Sequence, residues 1–261
     1  MELFPSALAK IARAEKHAES LKSEIAAFLA EENYEVRQNF DAETGRKTAI
    51  FHVLREVPVE WSVILGEILH NLRSALDHII TDLTVAESGH PLEQTEFPIF
   101  EDEAAFFALR TKGGQAGQPA PNSGLFKIRG VSPAARAVIQ GLQPFESAKV
   151  GKIASLLIVH NLNIIDKHRT INIVRQQAAQ FRCDILRDIH PIEMNIPVGE
   201  VKDGTKLAEW LPAKEPKEEM DMKFEFNFFI ALCEQGGNFN LIETNDALIN
   251  AVKRVIGYLK T

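Results

Sequence analysis

The stretch WSVILGEILHNLRSALDHIITDL, residues 61–83, decides how this chain folds. On a helical wheel at about 100° per residue, its apolar side chains fill one continuous sector and its polar side chains fill the other. Because an apolar sector of this width must be removed from water, we predict a central helix. It should pack against the N-terminal helix and the C-terminal sheet or helix through Ile64, Leu65, Ile68, Leu69, Leu72, Ala75, Leu76, Ile79, Ile80 and Leu83.

The polar sector of the same helix is unusual for a surface that faces water. A solvated helix face is usually rich in Lys and Glu at i,i+4 spacing. This sector has no lysine and is dominated by short hydrogen-bonding groups, so we predict that it lines a cleft or a polar seam between helices. Its members are Glu67, His70, Asn71, Arg73, Ser74, Asp77, His78 and Thr81.

Elements on either side of this helix can be read from periodicity and turn residues. A helical pattern follows Pro5 and Ser6 and runs to about residue 32, and β-rich runs then flank a hairpin loop at 41–46. Pro58 opens the central helix, expected over 59–86. Residues 111–130 are rich in Gly, Pro, Gln and Ser, which predicts a mobile exposed loop. Further helices are expected over 133–141 and from 151 onward. The strands of the hairpin are expected at 34–40 and 48–57.

Beyond Thr170 the pattern becomes that of strands. Asp203-Gly204 is typical of a hairpin turn, residues 214–219 read as a charged connector, and Asn245 or Asp246 is expected to cap a closing helix at 247–259. The order predicts an α+β fold, with a helical N-terminal half that contains one β-hairpin, an antiparallel β-rich C-terminal half and a closing C-terminal helix. We expect a single compact domain over 1–261, helical to about 169. The predicted strands are 170–174, 181–186, 193–201 and 223–232.

Composition excludes several classes of protein. The net charge of −7 argues against broad, non-specific binding of nucleic acid, although a local basic site is compatible with it. Neither a signal peptide nor an apolar run of about 20 residues is seen, and the two cysteines, Cys183 and Cys233, read as free thiols. We therefore expect a cytoplasmic protein without a membrane partner. The motifs of serine hydrolases, P-loop NTPases and dinucleotide-binding domains are missing, and no cofactor is indicated.

A second segment, residues 160–169, resembles the polar part of the central helix. Both segments start with His-Asn-Leu, and both end with an Asp close to a His. We predict that the two lie within side-chain reach of each other, because helices with matching short polar groups satisfy one another's hydrogen bonds. The predicted catalytic residues are Arg73, Asp77 and His78. The predicted binding residues are His70, Asn71, Asn163, Asp166, Lys167, His168 and Arg169.

Arg73 and His78 have the spacing R-x4-H, which resembles the R-x4-6-H motif of HEPN domains. Those domains are all-helical and include many bacterial toxin and defence ribonucleases. The resemblance implies that Arg73 contacts an RNA phosphate, that His78 assists cleavage through the 2′-hydroxyl without a metal, and that two copies of the chain form a dimer. The chain departs from the family at Ser74, where Asn is common, and in its β-rich half.

A second resemblance covers more of the chain. Residues 69–78, 97–100 and 162–169 are similar, in order and in sequence, to the blocks of a family of uncharacterised bacterial proteins. This resemblance implies no particular activity. It supports the prediction that the two histidine segments belong to one site.

Three interpretations of the two segments remain open beside purely structural ones. The first is phosphate or RNA chemistry, and the second is a non-enzymatic binding or structural protein whose polar seam pairs helices. The third is a metal site, although neither helix carries H-x3-H or H-E-x-x-H. Structurally, Asp77 and Asp166 would pair with Arg73 or Arg169, while Lys167, His168 and Arg169 would interact with the C-terminal end of a helix dipole. The metal interpretation draws on His70, Asp77, His78, His160, Asp166 and His168.

Overall fold

The fold is that of an α+β protein. A computed structural model describes residues 3–151, 154–195, 199–213, 221–234 and 237–260, with only the backbone described for 175–181. The helices are α1 (Pro5–Ala30), α2 (Glu60–Ser88), α3 (Glu103–Phe106), α4 (Gly124–Lys127), α5 (Pro133–Gly141), α6 (Pro144–Lys149), α7 (Ser155–His168) and α8 (Leu241–Leu259). The strands are β1 (Tyr34–Asp41), β2 (Arg46–Val53), β3 (Ile173–Ile185), β4 (Ile189–Met194), β5 (Gly199–Glu200), β6 (Lys206–Pro212), β7 (Met222–Glu234) and β8 (Gly237–Asn240). The predicted fold class is confirmed.

The chain divides into two compact units, and neither is a continuous segment. Unit 1 contains Met1–Ser20, Ser62–Ile171 and Ile242–Thr261, and unit 2 contains Leu21–Trp61 and Asn172–Leu241. Unit 1 is helical, whereas unit 2 holds the strands.

The core of unit 1 follows the apolar sector of α2. Eight of the ten residues predicted for that sector are completely buried, whereas Ile64 and Leu83 at its two ends are half-buried. Polar contacts fix the neighbours of this helix within the unit. His17 on α1 contacts Glu67, and the side chain of Asp166 on α7 lies against Gly66. The predicted burial of the apolar sector of α2 is therefore confirmed, whereas its packing against the C-terminal sheet or helix stays a prediction. The eight buried residues are Leu65, Ile68, Leu69, Leu72, Ala75, Leu76, Ile79 and Ile80.

Short helices connect α2 to α7. The side chains of Asp102, Ser123 and Ser132 accept hydrogen bonds from the first backbone amides of α3, α4 and α5, which explains where these helices begin. The predicted helix over 133–141 is confirmed. The predicted loop at 111–130 differs at its end, because residues 124–127 form α4. Gly124 there packs so closely on the Phe106 ring that a side chain would overlap it.

Unit 2 contains two antiparallel sheets with the strand orders β1-β2-β6-β4 and β5-β3-β7-β8. The predicted hairpin is confirmed, with Tyr34 opposite Val53 and Asp41 opposite Arg46. Both sheets contribute to one core, which explains the alternation of buried and exposed residues along β2 and β7. The buried members of this core are Ala49, Phe51, Val201, Leu207, Ala208, Trp210, Met222 and Phe224.

Several details of the strand region differ from the predictions. Strand β6 was not predicted, and the runs predicted at 170–174 and 181–186 both overlap one strand, β3, which spans Ile173–Ile185. Asp203-Gly204 does form a turn, with Gly204 at a φ of 78°, but β5 before it and β6 after it pair in different sheets, so the turn does not close a hairpin. The predicted connector at 214–219 lies outside the described residues.

The closing helix starts earlier than predicted. Helix α8 begins at Leu241, so Asn245 is a buried residue inside the helix and not its cap. The first turn of α8 follows β8 directly, since β8 ends at Asn240 and α8 begins at Leu241. Among the helices described, none is both long enough and apolar enough to cross a lipid bilayer.

Candidate functional site

Three helices of unit 1 line one cavity of about 650 Å³, which we call the α1–α2–α7 cavity. Each helix contributes a stripe of residues at the three- and four-residue spacings that place side chains on one face. The stripe of α1 is Lys10, Arg13 and His17, that of α2 is Val63, Gly66, Glu67, His70 and Asn71, and that of α7 is Asn163, Asp166 and Lys167.

A glycine allows α2 and α7 to meet at this cavity. Gly66 lies in the second turn of α2, where its small size permits the carboxylate of Asp166 to rest against the helix. An alanine methyl at this position would overlap that carboxylate. Burial raises the pKa of Asp166 above the usual carboxyl value, and the charge of His70 partly offsets this effect. Within the described part of the chain, Asp166 has no ion-pair partner closer than 4 Å.

The cavity is lined by more cations than anions. Lys10, Arg13 and Lys167 are opposed by the carboxylates of Glu67 and Asp166, in a chain whose net charge is −7. Glu67 is already engaged, because its Oε2 atom lies 3.4 Å from Nε2 of His17. The described residues offer Lys10, Arg13 and Lys167 no carboxylate within ion-pair distance, so the positive charge of this surface is not neutralised locally.

Two asparagines complete the wall. Asn71 donates a hydrogen bond of 2.8 Å to the backbone carbonyl of Glu67 one turn earlier on α2. Asn163 is 3% exposed, and its Oδ1 atom has no hydrogen-bond partner among the residues described. A buried acceptor left unpaired costs about 1–3 kcal/mol of folding free energy. Packing alone therefore does not explain why Asn163 occupies this position.

A second cluster on α2, the Arg73 network, consists of Arg73, Asp77, Glu96, Lys127 and His160. Nη2 of Arg73 lies 3.0 Å from Oδ1 of Asp77 and 3.6 Å from Oε2 of Glu96. Nζ of Lys127 lies 2.5 Å from the other oxygen of Glu96. The backbone amide of Phe97 donates a 3.0 Å hydrogen bond to Asp77. Charges of opposite sign therefore alternate along the network.

The acid groups of the Arg73 network differ in their protonation behaviour. Burial raises the pKa of Asp77 and outweighs the opposing effects of Arg73 and of the Phe97 amide. Burial acts in the same direction on Glu96, but the hydrogen bond and charge of Lys127, together with the charge of Arg73, bring its pKa below the usual value. The two carboxylates of the network therefore shift in opposite directions, with the pKa of Asp77 raised and that of Glu96 lowered.

His160 connects α7 to the Arg73 network. Burial lowers its pKa, and the nearby charges of Arg73 and Lys127 lower it further. Its ring is therefore neutral in the folded protein at neutral pH. Three nitrogen atoms around this cluster are buried without a hydrogen-bond partner among the described residues. They are Nη1 of Arg73, Nδ1 of His78 and Nδ1 of His160.

The structure divides the predicted site residues into four groups. His70, Asn71, Asn163, Asp166 and Lys167 share the α1–α2–α7 cavity. Arg73 and Asp77 form an ion pair within the Arg73 network, which is the structural role suggested by their spacing. His78 is half-buried, and it lines no part of the cavity. His168 and Arg169 are exposed at the end of α7, where the guanidinium of Arg169 donates to the carbonyl of Thr170.

Sequence reasoning missed about half of the residues in these clusters. Lys10, Arg13 and His17 form a basic stripe at i, i+3 and i+7, and a wheel drawn for α1 would have revealed it. Glu96 and Lys127 lie in connecting segments without periodicity, so the sequence carried no signal for them. Across the described ranges, no three His, Cys, Asp or Glu side chains converge in a way that could hold a metal ion.

Comparison with known proteins gives no match for this chain, whether with protein-family models, with curated proteins or with solved structures.

Proposed function

We propose that this protein binds a small phosphate-bearing ligand, and that the α1–α2–α7 cavity is its binding site. One observation carries the proposal. Three cationic side chains, Lys10, Arg13 and Lys167, line a single cavity, and no carboxylate pairs with them among the described residues. Phosphate oxygens accept several hydrogen bonds at once, and Arg and Lys are the side chains that most often supply them.

The size and the polarity of the cavity agree with such a ligand. A volume of about 650 Å³ lies within the range of about 300–1,000 Å³ that is typical of small-molecule sites. Two imidazoles, those of His17 and His70, add further N–H groups to the wall. On this proposal the Arg73 network has a different task, which is to hold α2 against the segments that carry Glu96 and Lys127.

The proposal is tested by calorimetric titration of the purified protein with ethyl phosphate at low salt. We expect saturable binding that weakens as salt is added, because the contact is largely electrostatic. Replacing both Lys10 and Arg13 by glutamine should weaken binding by about tenfold or more, equivalent to about 1.4 kcal/mol. Lys16→Gln, on the same helix but outside the cavity, is the matched control. Absence of binding, or equal binding by the double variant, would refute the proposal.

Metal-independent RNA cleavage by Arg73 and His78 is the second candidate function. It is supported by the R-x4-H spacing and favoured by Nδ1 of His78, which is buried without a partner among the described residues. Against it, Arg73 is only 9% exposed and already contacts Asp77 and Glu96, so an RNA phosphate would have to displace a carboxylate. RNA and a second copy of the chain are the partners that this candidate requires.

The two candidates are separated by one set of variants. Bacteria expressing the wild type, Arg73→Ala or His78→Ala are scored for growth, and their lysates for RNA cleavage with and without a chelator. Toxicity and chelator-resistant cleavage that disappear in both folded variants would favour the nuclease. If the wild type neither cleaves RNA nor slows growth, the nuclease proposal fails and the binding proposal is unaffected.

A further inference from the structure

We propose that the ligand of the α1–α2–α7 cavity carries an ammonium group as well as a phosphate, the phosphate lying on the wall formed by α1 and the ammonium against Asp166 and Asn163. The inference rests on the proposed function, since it assigns a chemical class to the ligand of that same cavity. It follows from the uneven distribution of charge between the walls.

The wall formed by α1 contains no acid. Lys10, Arg13 and His17 are its lining residues, and they project from one face of the helix at i, i+3 and i+7. His17 is held by Glu67, whereas Lys10 and Arg13 have no such partner among the described residues. The phosphate group of a ligand is therefore best placed against Lys10 and Arg13.

The wall formed by α7 provides the acceptor oxygens of Asn163 and Asp166, beside the cation of Lys167. The Asp166 carboxylate is held against Gly66, half-buried, and has no cation within ion-pair distance in the described part of the chain. Burial raises its pKa, so the carboxylate is under-compensated where it lies. An ammonium group would supply both the opposite charge and the N–H donors that this position lacks.

Asn163 strengthens the same assignment. It lines the cavity one turn before Asp166 on α7, and its Oδ1 atom is a buried acceptor with no donor among the described residues. Asn163 and Asp166 are three positions apart on α7, which places their side chains on the same face of the helix. Two acceptors from one helix face could then share the three N–H groups of a primary ammonium.

The inference is tested with three phosphate esters that differ only at the far end. O-phosphoethanolamine carries an ammonium with N–H donors, phosphocholine carries the same charge without them, and ethyl phosphate carries neither. We expect the wild-type protein to bind O-phosphoethanolamine at least about tenfold more tightly than ethyl phosphate in calorimetric titrations. The affinity of phosphocholine should exceed that of ethyl phosphate by a much smaller factor, because phosphocholine cannot donate hydrogen bonds to Asp166 and Asn163.

Variants assign the preference to particular residues. Asp166→Asn and Asn163→Leu should each reduce the ratio of the affinity for O-phosphoethanolamine to the affinity for ethyl phosphate, with both affinities measured for every variant. Gly66→Ala should do the same, because the added methyl displaces the Asp166 carboxylate. Asp246→Asn, an exposed substitution on α8, is the control for loss of a negative charge.

The outcomes separate the inference from the proposed function. Equal affinity of the wild type for ethyl phosphate and O-phosphoethanolamine would overturn the ammonium assignment and leave phosphate binding intact. Failure of all three esters to bind would remove both. If Asn163→Leu does not fold, as circular dichroism would show, Asp166→Asn and Gly66→Ala decide the question by themselves.

Discussion

The α1–α2–α7 cavity and the Arg73 network lie on the same polar sector of α2 and both include residues of α7, yet their charges are arranged in opposite ways. In the Arg73 network each cation touches a carboxylate, and Arg73 is 9% exposed. In the cavity, Lys10, Arg13 and Lys167 face open space without an acid partner among the described residues. Compensated, buried charge is typical of scaffolding, whereas uncompensated charge around a void is typical of a binding site.

The largest effect expected in this comparison comes from the apolar stripe that supports both regions. Leu72 is completely buried and lies between Asn71 of the cavity wall and Arg73 of the network. Leu72→Asp should lower the free energy of unfolding by about 3 kcal/mol or more, because it buries an unpaired charge. Urea denaturation measures this, with Val85→Asp on the exposed side of α2 as control. A soluble Leu72→Asp variant with an unchanged melting temperature would show that α2 is not central.

The next largest effect is a pair of substitutions that distinguishes the Arg73 network from the α1–α2–α7 cavity. Arg73→Met should lower the free energy of unfolding by about 2 kcal/mol, because Asp77 and Glu96 lose their shared counter-charge. Lys10→Met should change stability by no more than about 0.5 kcal/mol. Phosphate binding should respond in the reverse order, with a large loss for Lys10→Met. If both variants lost stability equally and neither lost binding, the distinction between network and cavity would be wrong.

The smallest effect concerns the pH dependence of stability. Since burial raises the pKa of Asp166, the folded protein binds this proton more tightly than the unfolded chain does. The protonated carboxyl of Asp166 therefore contributes to the free energy of unfolding at low pH, and this contribution is lost as pH rises through the folded-state pKa. Asp166→Asn should raise the melting temperature at neutral pH, and the gain should shrink toward about pH 4, near the usual carboxyl pKa.

The exposed substitution Asp246→Asn provides the baseline for that measurement. A lower melting temperature for Asp166→Asn at neutral pH would contradict the prediction, because it would mean that the carboxylate is stabilised by a cation in the folded state. That result would also weaken the assignment of a ligand ammonium to this position.

The sequence predicted those features that depend on one helix or one hairpin. The buried stripe of α2 and the pairing of β1 with β2 follow from periods of 3.6 and 2 residues, and both are confirmed. Strand β6 was missed because apolar and polar residues do not alternate clearly in Lys206–Pro212. This segment is held as a strand by pairing with β2 and β4. The turn at Gly204 was recognised, but which sheet each neighbouring strand joins is a tertiary choice.

The candidate site was predicted in part for the same reason. His70, Asn71, Asn163, Asp166 and Lys167 were found because they repeat a pattern on two helices, and they do share a cavity. Two members of the Arg73 network could not be found, since Glu96 lies in an irregular segment after α2 and Lys127 ends the short helix α4. Their positions depend on packing between distant parts of unit 1, which leaves no periodic trace in the sequence.

The discontinuous make-up of unit 1 also bears on how the chain acquires its structure. Glu15 and Lys253 form an ion pair across 238 positions of sequence, so α1 and α8 of this unit meet only after nearly all of the chain has been synthesised. At about 5–20 residues per second, α1 waits on the order of tens of seconds for its partner. Ile11 and Ala14 of α1, which are buried in the folded protein, are therefore synthesised long before α8. We therefore expect slow folding, limited by closure of distant segments.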